Sequence, residues 1–467
     1  MPDCLVSRPN ARTVPISALT SKDYRAWLRK QSKLTQGWLK STDFRPDSGK
    51  VALVPARDGK IARVVLGLGE HPEMWAFAAL YDRLPKGRYQ IEDLDPTHAD
   101  GAALAWAMAS YRFTRYTAKH EAKNPPALVW PTGADRAGVD RAREAITLGR
   151  DLINTAAEDL GPAELSEAVE RLAEQHGGEC TVIVGDDLLT EGYPAIHAVG
   201  RAADRAPRLA DLRWGDPEAP HLTLVGKGVC FDSGGLDLKG ASGMKLMKKD
   251  MGGAATAMAL AHMVMGAELP VRLRVLIPTV ENAVSGNAYR PGDVLNTRKG
   301  ITVEVGNTDA EGRLILCDAL AEAGSEKPDL LIDFATLTGA ARVALGTELP
   351  ALFSTDDAFA DQLLASGRSR HDPMWRMPLY RDYRRHLDSR IADINNIANI
   401  GQGGAITAAL FLQEFVSNDQ AWVHVDTMGW NSSNRPGRPA GGEVFGIRAF
   451  FAALRDRYAA TEEEIDA

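Results

Sequence analysis

Apolar positions along this chain fall into two rhythms. Short β-branched runs at residues 51–55 and 61–66 predict strands, and Pro126-Ala-Leu-Val-Trp130 predicts another. Between them, Gly101-Ala-Ala-Leu-Ala-Trp-Ala-Met-Ala109 predicts a helix. Together these give a small α/β domain over residues 1–140. The loop Pro131-Thr-Gly-Ala-Asp135 precedes a long helical pattern from near Val139 to about Ala157, which reads as a connector. Beyond it the alternation strengthens. Strands are predicted at 181–184, 222–225, 272–277, 301–305, 330–334 and 422–425, with helices beginning near Ala163, Ala254, Leu314 and Ala405. The fold class expected is therefore α/β, with residues 141–467 forming a larger domain whose central mixed sheet is flanked by helices. Such sheets bind ligands outside the carboxyl ends of their strands.

Composition narrows the picture only a little. A chain of 467 residues that is 45% apolar has ample material for two packed cores. A net charge of −8 argues against a general polyanion binder. Cys4, Cys180, Cys230 and Cys317 are scattered without a CxxC pair, which favours reduced thiols over a disulfide frame. The N-terminus carries no apolar leader and no stretch is long and apolar enough for a bilayer, so a cytoplasmic protein is expected. The acidic run at 462–464 reads as a solvated end.

The run Asn307-Thr-Asp-Ala-Glu-Gly-Arg313 carries the densest chemistry. Asp309 and Glu311 are two apart after the predicted strand 301–305, a spacing that puts both carboxylates on one face of extended chain. Gly312 would let the backbone turn, and Arg313 opens a helical pattern. Two carboxylates beside a guanidinium suit a hard divalent cation and a developing negative charge. Taken alone, the run fits equally well an acidic helix N-terminus with a paired Arg. Upstream, Leu224-Val-Gly-Lys-Gly-Val-Cys-Phe-Asp-Ser-Gly-Gly235 places Lys227 and Asp232 on a strand and the turn after it, with Lys239 seven residues on. A second Asp-x-Gly-Gly at Asp250 precedes another helical run, so four carboxylates stand at candidate loop positions.

In order and spacing these blocks resemble the leucyl, or cytosol, aminopeptidases, which are two-metal exopeptidases. The matching segments are Val225-Gly-Lys-Gly, Phe231-Asp-Ser-Gly-Gly, Asp250-Met-Gly-Gly-Ala-Ala, Asn307-Thr-Asp-Ala-Glu-Gly-Arg-Leu and Ala335-Thr-Leu-Thr-Gly, with Trp375-Arg-Met-Pro-Leu and Ala392-Asp-Ile-Asn-Asn beyond them. The resemblance covers residues 148–455, and the first 140 residues add only Val65-Leu-Gly-Leu-Gly.

It implies an aminopeptidase that releases N-terminal amino acids from peptides, with a metal-bridged water attacking the scissile carbonyl. Asp232 and Glu311 would bridge two divalent ions, zinc or manganese before magnesium or cobalt, with Asp309 on one and Asp250 on the other. Lys227 would be a neutral amine ligand. On the residues alone, a Lys among carboxylates reads instead as a salt bridge. Lys239 would hold the substrate carbonyl, and Arg313 would bind a bicarbonate acting as general base. Met247, Thr336 and Gly339 would line the side-chain pocket, with Asn307 and the Leu337 carbonyl as polar contacts. Met428 stands where relatives commonly carry a smaller residue, which puts a leucine preference in question. A homohexamer is implied as well.

Two other classes compete with this reading. Two-metal phosphatases want cationic or glycine-rich phosphate contacts, whereas the glycines here follow aspartates. Some members of the resembled family also bind DNA, and Arg381-Asp-Tyr-Arg-Arg385 and Arg435-Pro-Gly-Arg438 are basic runs. Neither sits in a recognisable nucleic-acid motif, and the overall charge is acidic. His262 and His424 form no HExxH pair and read as ordinary helix and strand residues.

Overall fold

The computed structural model describes residues 4–117, 119 and 125–458. The run at 462–464 and the first three residues lie outside that range. The chain forms two compact units, Met1–Thr147 with Ser433–Ala440, and Leu148–Ser432 with Gly441–Ala467. The helix Arg136–Asn154 occupies the stretch expected to connect them.

The first unit is built on six strands: β1 (Leu5–Val6), β2 (Val14–Thr20), β3 (Val51–Pro55), β4 (Ile61–Gly69), β5 (Arg88–Glu92) and β6 (Ala127–Val129). They lie in the order β1-β6-β5-β2-β4-β3, parallel except for the β3–β4 hairpin. The expected helix is present as Ala99–Ser110, buried over most of its length, and its Trp106 meets Tyr81 edge-on with ring centroids 5.6 Å apart. Strands β1, β2 and β5 are additions to the sequence reading. The returning segment 433–440 is held in this unit by Arg438, whose guanidinium lies 4.0 Å from the Trp75 ring centre.

The second unit contains β7 (Glu179–Val184), β8 (Arg208–Trp214), β9 (His221–Gly226), β10 (Gly228–Asp232), β11 (Arg272–Asn282), β12 (Val294–Leu295), β13 (Val303–Glu304), β14 (Leu330–Ala335), β15 (Ala351–Ser354), β16 (Trp375–Arg376), β17 (Ile394–Asn395) and β18 (Trp422–Asp426). Its main sheet is ordered β16-β15-β18-β14-β9-β11-β8-β7, with β10 pairing beside β11. Parallel pairs at the centre give way to antiparallel pairs at β8, β7 and β15, so the sheet is mixed.

One expected strand is largely absent. Of residues 301–305 only Val303–Glu304 pair as a strand, between β12 and β17 in a separate three-stranded sheet. The flanking backbone is claimed by loops: Thr302 N donates to the Asp393 carboxylate at 2.8 Å and Val305 N to the Asp293 carbonyl at 2.8 Å. Those bonds leave no free edge along which a longer ladder could form.

The helix Gly252–Gly266 is apolar all round and buried in all but its final residue, as a core helix must be. It packs on β9 and β14, and Gly253 shows how closely: a Cβ there would stand 2.1 Å from the Phe334 carbonyl oxygen. The glycines after Asp250 thus serve helix–strand approach, whereas Gly234 and Gly235 after Asp232 adopt φ of +89° and +65° and turn the chain. Register then brings strand ends together. Asp232 of β10 lies opposite Asn282 of β11, Phe334 opposite Gly226, and Ala335 opposite Asp426.

Candidate metal centre

Each acidic candidate reaches the centre by a different local device. Asp232 ends β10, and its Oδ1 accepts from Gly234 N at 2.8 Å and Asn282 Nδ2 at 2.9 Å. Asp250 lies in the 3₁₀ turn Met247–Met251 that feeds the core helix, with Thr336 Oγ1 donating to its Oδ1 at 2.8 Å. Asp309 and Glu311 converge, but not on extended chain. Thr308 and Asp309 form a turn, and Glu311 is already the cap of the helix Gly312–Ser325. Gly312 correspondingly does not turn the backbone. It is the first helical residue, and a Cβ on it would lie 2.3 Å from Lys227 Cε, so its bareness makes room for that lysine.

The result is a compact acid cluster threaded by two cations. One oxygen from each of Asp232, Asp309 and Glu311 lies within 4.8 Å of the others. Lys227, between β9 and β10, is buried with its Nζ 2.8 Å from Asp250 Oδ2, 2.9 Å from Glu311 Oε1 and 3.1 Å from the Thr336 carbonyl. Lys239 bridges Asp232 Oδ2 at 2.8 Å and Asp309 Oδ1. Burial would push Lys227 down, but Asp250, Glu311 and Asp232 more than offset it and hold the ammonium above its usual range. The geometry at Lys227 is thus the salt bridge; a ligand role requires that its proton leave.

Fully ionised, the four carboxylates would carry more negative charge than Lys227 and Lys239 balance. Burial, with Asp232 and Asp250 nearby, raises the Glu311 carboxyl to about 8, against the pull of Lys227. Burial and Asp250 raise Asp232 to about 6. Asp250 is the exception: burial pushes it up, and Lys227 and Lys249 pull it below its ordinary value. Glu311 Oε2 is buried without a hydrogen-bond partner. An oxygen-rich, crowded, under-neutralised cluster with an orphaned carboxylate oxygen fits hard divalent cations.

Arg313 stands apart from the acids. Its Nη1 donates to the Asn396 carbonyl at 2.6 Å, its Nε is buried without a partner, and it has no carboxylate within ion-pair reach among the described residues. Burial pushes the guanidinium down to about 10, which Glu311 and Asp426 only partly oppose. A buried cation with an idle donor has the chemistry to hold a small planar anion.

The pocket candidates divide. Met247 opens the turn that carries Asp250. Thr336 points its hydroxyl at Asp250 and its methyl toward Gly252 and Gly429. Leu337 N donates to Asp426 Oδ1 at 3.0 Å, and Gly339 begins the helix Gly339–Leu345. Met428 Sδ lies 3.5 Å from Arg342 Nη1. Asn307 belongs to the acid loop, where its Oδ1 accepts from Asp309 N at 2.7 Å.

Several supporting residues escaped the sequence reading. Asn282 links Asp232 to the Thr308 carbonyl at 3.0 Å, and Tyr289 OH donates to that same carbonyl at 2.6 Å. Asn396 holds Gly306 N at 2.7 Å and the Asn307 carbonyl at 2.7 Å. Asp426 takes Leu337 N, Thr338 N and Thr338 Oγ1. Asn396 lay inside a noted motif; Asn282 and Asp426 gave only the signal of a polar residue ending an apolar strand.

Residues considered for other chemistry serve the fold. His424 is fully buried, with Nδ1 2.6 Å from Asp333 Oδ1, and His262 pairs with His176 at 3.0 Å. Arg384 of the first basic run pairs with Asp388 and Glu414. Arg435 and Arg438 bridge each other through their backbones. Among the described residues, no helix is long and apolar enough to cross a membrane.

Residues 147–451 match the catalytic domain of the cytosol aminopeptidase family, and residues 14–131 match the M17 aminopeptidase N-terminal domain. The second match corrects the sequence reading, which found no comparable resemblance before residue 140. A probable cytosol aminopeptidase of Syntrophotalea carbinolica is 42% identical over 363 residues, 74% of this chain and 73% of that one. The crystal structure of the Coxiella burnetii cytosol aminopeptidase is 47% identical and superposes with a TM-score of 0.94, covering 98% of this chain and 100% of the other. The bottromycin maturation enzyme BotP, solved in complex with Mn, is 33% identical with a TM-score of 0.86, covering 96% of this chain and 100% of that one.

Proposed function

The chain belongs to the cytosol aminopeptidase family, and from that premise we propose that it is a two-metal exopeptidase releasing N-terminal amino acids from peptides. The observation that supports this most is the acid cluster itself, where burial and then neighbouring carboxylates raise Asp232 and Glu311, and Glu311 Oε2 is left unpartnered. Asp232, Asp250, Asp309 and Glu311 would hold two divalent ions, zinc or manganese in preference to magnesium or cobalt, with Lys227 joining as a neutral ligand. When bound, such ions polarise a carbonyl and acidify water. Manganese has direct support in a relative, since BotP was solved with it.

The protein's own groups then have separable tasks. Asp250, deep beside Thr336, would receive the substrate's free amine. Lys239 already stands at the outer edge of Asp232 and Asp309, where a turn of its ammonium reaches a substrate carbonyl and stabilises the charge that develops there. Arg313 would hold a planar oxyanion such as bicarbonate through its idle donors and so keep a proton acceptor near the attacking water. Met247, Thr336, Leu337, Gly339 and Met428 would receive the N-terminal side chain, and Asn307 would help set the acid loop.

Metal analysis beside activity tests the assignment. Wild type should carry roughly two divalent ions per chain and cleave aminoacyl anilides. Lys239→Met and Arg313→Met should retain the ions and lose turnover about a hundredfold to a thousandfold, the usual loss for one electrostatic contact in a transition state. Loss of metal from either variant would show that its role is misassigned.

We also propose a cytoplasmic homohexamer acting on peptides and not on nucleic acid. The larger unit exposes Val343, Trp375 and Ile391, apolar side chains that neighbouring subunits would cover. Light scattering on the active protein should give a mass near six chains; an active monomer would rule the assembly out.

A further inference from the structure

Arg342 sits in the last turn of the helix Gly339–Leu345. The ordinary reading is an exposed cation favouring a helix C-terminus. Two contacts say more. Its Nη1 lies 3.5 Å from Met428 Sδ, and a Cβ on Gly339 would stand 3.4 Å from its Nη2. Arg342 is exposed, and its guanidinium lies beside Met428 and near Gly339, two residues assigned to the side-chain pocket. It forms no ion pair with a carboxylate among the described residues. The other cation in this region, buried Lys249, already faces Asp250 at 3.9 Å.

Its position is also built. Buried Asp426 accepts from Leu337 N at 3.0 Å, Thr338 N at 3.1 Å and Thr338 Oγ1 at 2.6 Å. Thr338 Oγ1 in turn accepts from Ala341 N at 3.0 Å and caps the short helix. Asp426 thereby fixes the helix that carries Arg342, from the strand end that leads to Met428.

We propose that Arg342 is a specificity-determining residue, and that this aminopeptidase favours peptides whose N-terminal residue bears a side-chain carboxylate. The inference rests on the exopeptidase reading above and on the pocket assigned there. A planar guanidinium without a carboxylate of its own offers paired donors that match a carboxylate. Met428 would narrow the space for a branched apolar side chain, and its sulfur lies against the cation.

Glutamyl and glutaminyl anilides are the test, because they share size and differ in charge. Wild type should show the higher kcat/KM on the glutamyl substrate. In Arg342→Gln the Glu-to-Gln ratio should fall about tenfold, the size of one partly exposed charge-assisted hydrogen bond. Arg342→Lys should restore much of the ratio, and Arg342→Glu should shift preference toward a lysyl anilide, which a merely structural arginine would not do. High salt should shrink the wild-type ratio. A ratio unchanged across these variants, in protein that still cleaves a leucyl anilide, overturns the inference and leaves the aminopeptidase reading standing. Protein that cleaves no aminoacyl anilide when loaded with metal overturns both.

Discussion

Asp232→Ala is expected to empty the metal centre and abolish hydrolysis while leaving the fold standing. Asp232 is where the cluster is joined: its Oδ2 faces Lys239 and its Oδ1 faces Asn282 and Gly234 N. Removing it takes away one proposed metal ligand and releases Lys239 from half of its hold. Activity should fall by more than about a thousandfold, beyond the loss for any single electrostatic donor. Metal content should fall with it. Stability of the metal-free protein should not, and the sign follows from linkage. A carboxyl whose folded pKa is raised to about 6 favours the folded state at low pH, and that contribution is lost as pH rises through 6. At neutral pH its buried charge is already a burden, so its removal relieves desolvation and repulsion with Asp250. Metal analysis and thermal melts of the chelated proteins check both halves. A metal-replete, active Asp232→Ala enzyme would refute the ligand assignment.

The acid cluster was legible in sequence because its members sit in short, dense runs. Asp232, Asp250, Asp309 and Glu311 lie beside glycines at turns and helix starts, where composition speaks locally. The reasons were less legible. The two Asp-x-Gly-Gly segments look alike, yet Gly234 turns the chain and Gly253 admits a strand carbonyl. The spacing of Asp309 and Glu311 suggested extended chain, and the structure uses a turn and a helix cap instead. Residues 301–305 have strand composition, but their edges are claimed by Asp393 and Asp293 from distant loops. Asn282 and Asp426 matter because β10 pairs with β11 and β14 with β18, across 50 and 91 residues of chain. Pairings of that range leave no trace in local spacing. In the first unit β3, β4, β6 and the buried helix were readable, whereas β1, β2 and β5 were passed over. Their partners in the parallel ladder are non-consecutive strands.

The second large effect concerns the substrate end. In this account Asp250 and a metal take the free α-amine, so blocking that amine should abolish cleavage. Acetylation removes the positive charge that a buried carboxylate would pair with, and the lone pair that could meet a metal. It also adds bulk beside Thr336, whose hydroxyl is committed to Asp250 at 2.8 Å. Several contacts made in the transition state are lost together, about 4 kcal/mol or more, which is at least about a thousandfold in rate. An endopeptidase or a broad amidase would tolerate the cap. The most direct measurement is therefore the hydrolysis of an aminoacyl anilide and its N-acetyl form by the metal-loaded protein at one enzyme concentration. Cleavage of the free-amine substrate alone is expected; comparable rates on the two would contradict capture of the α-amine by Asp250 and a metal.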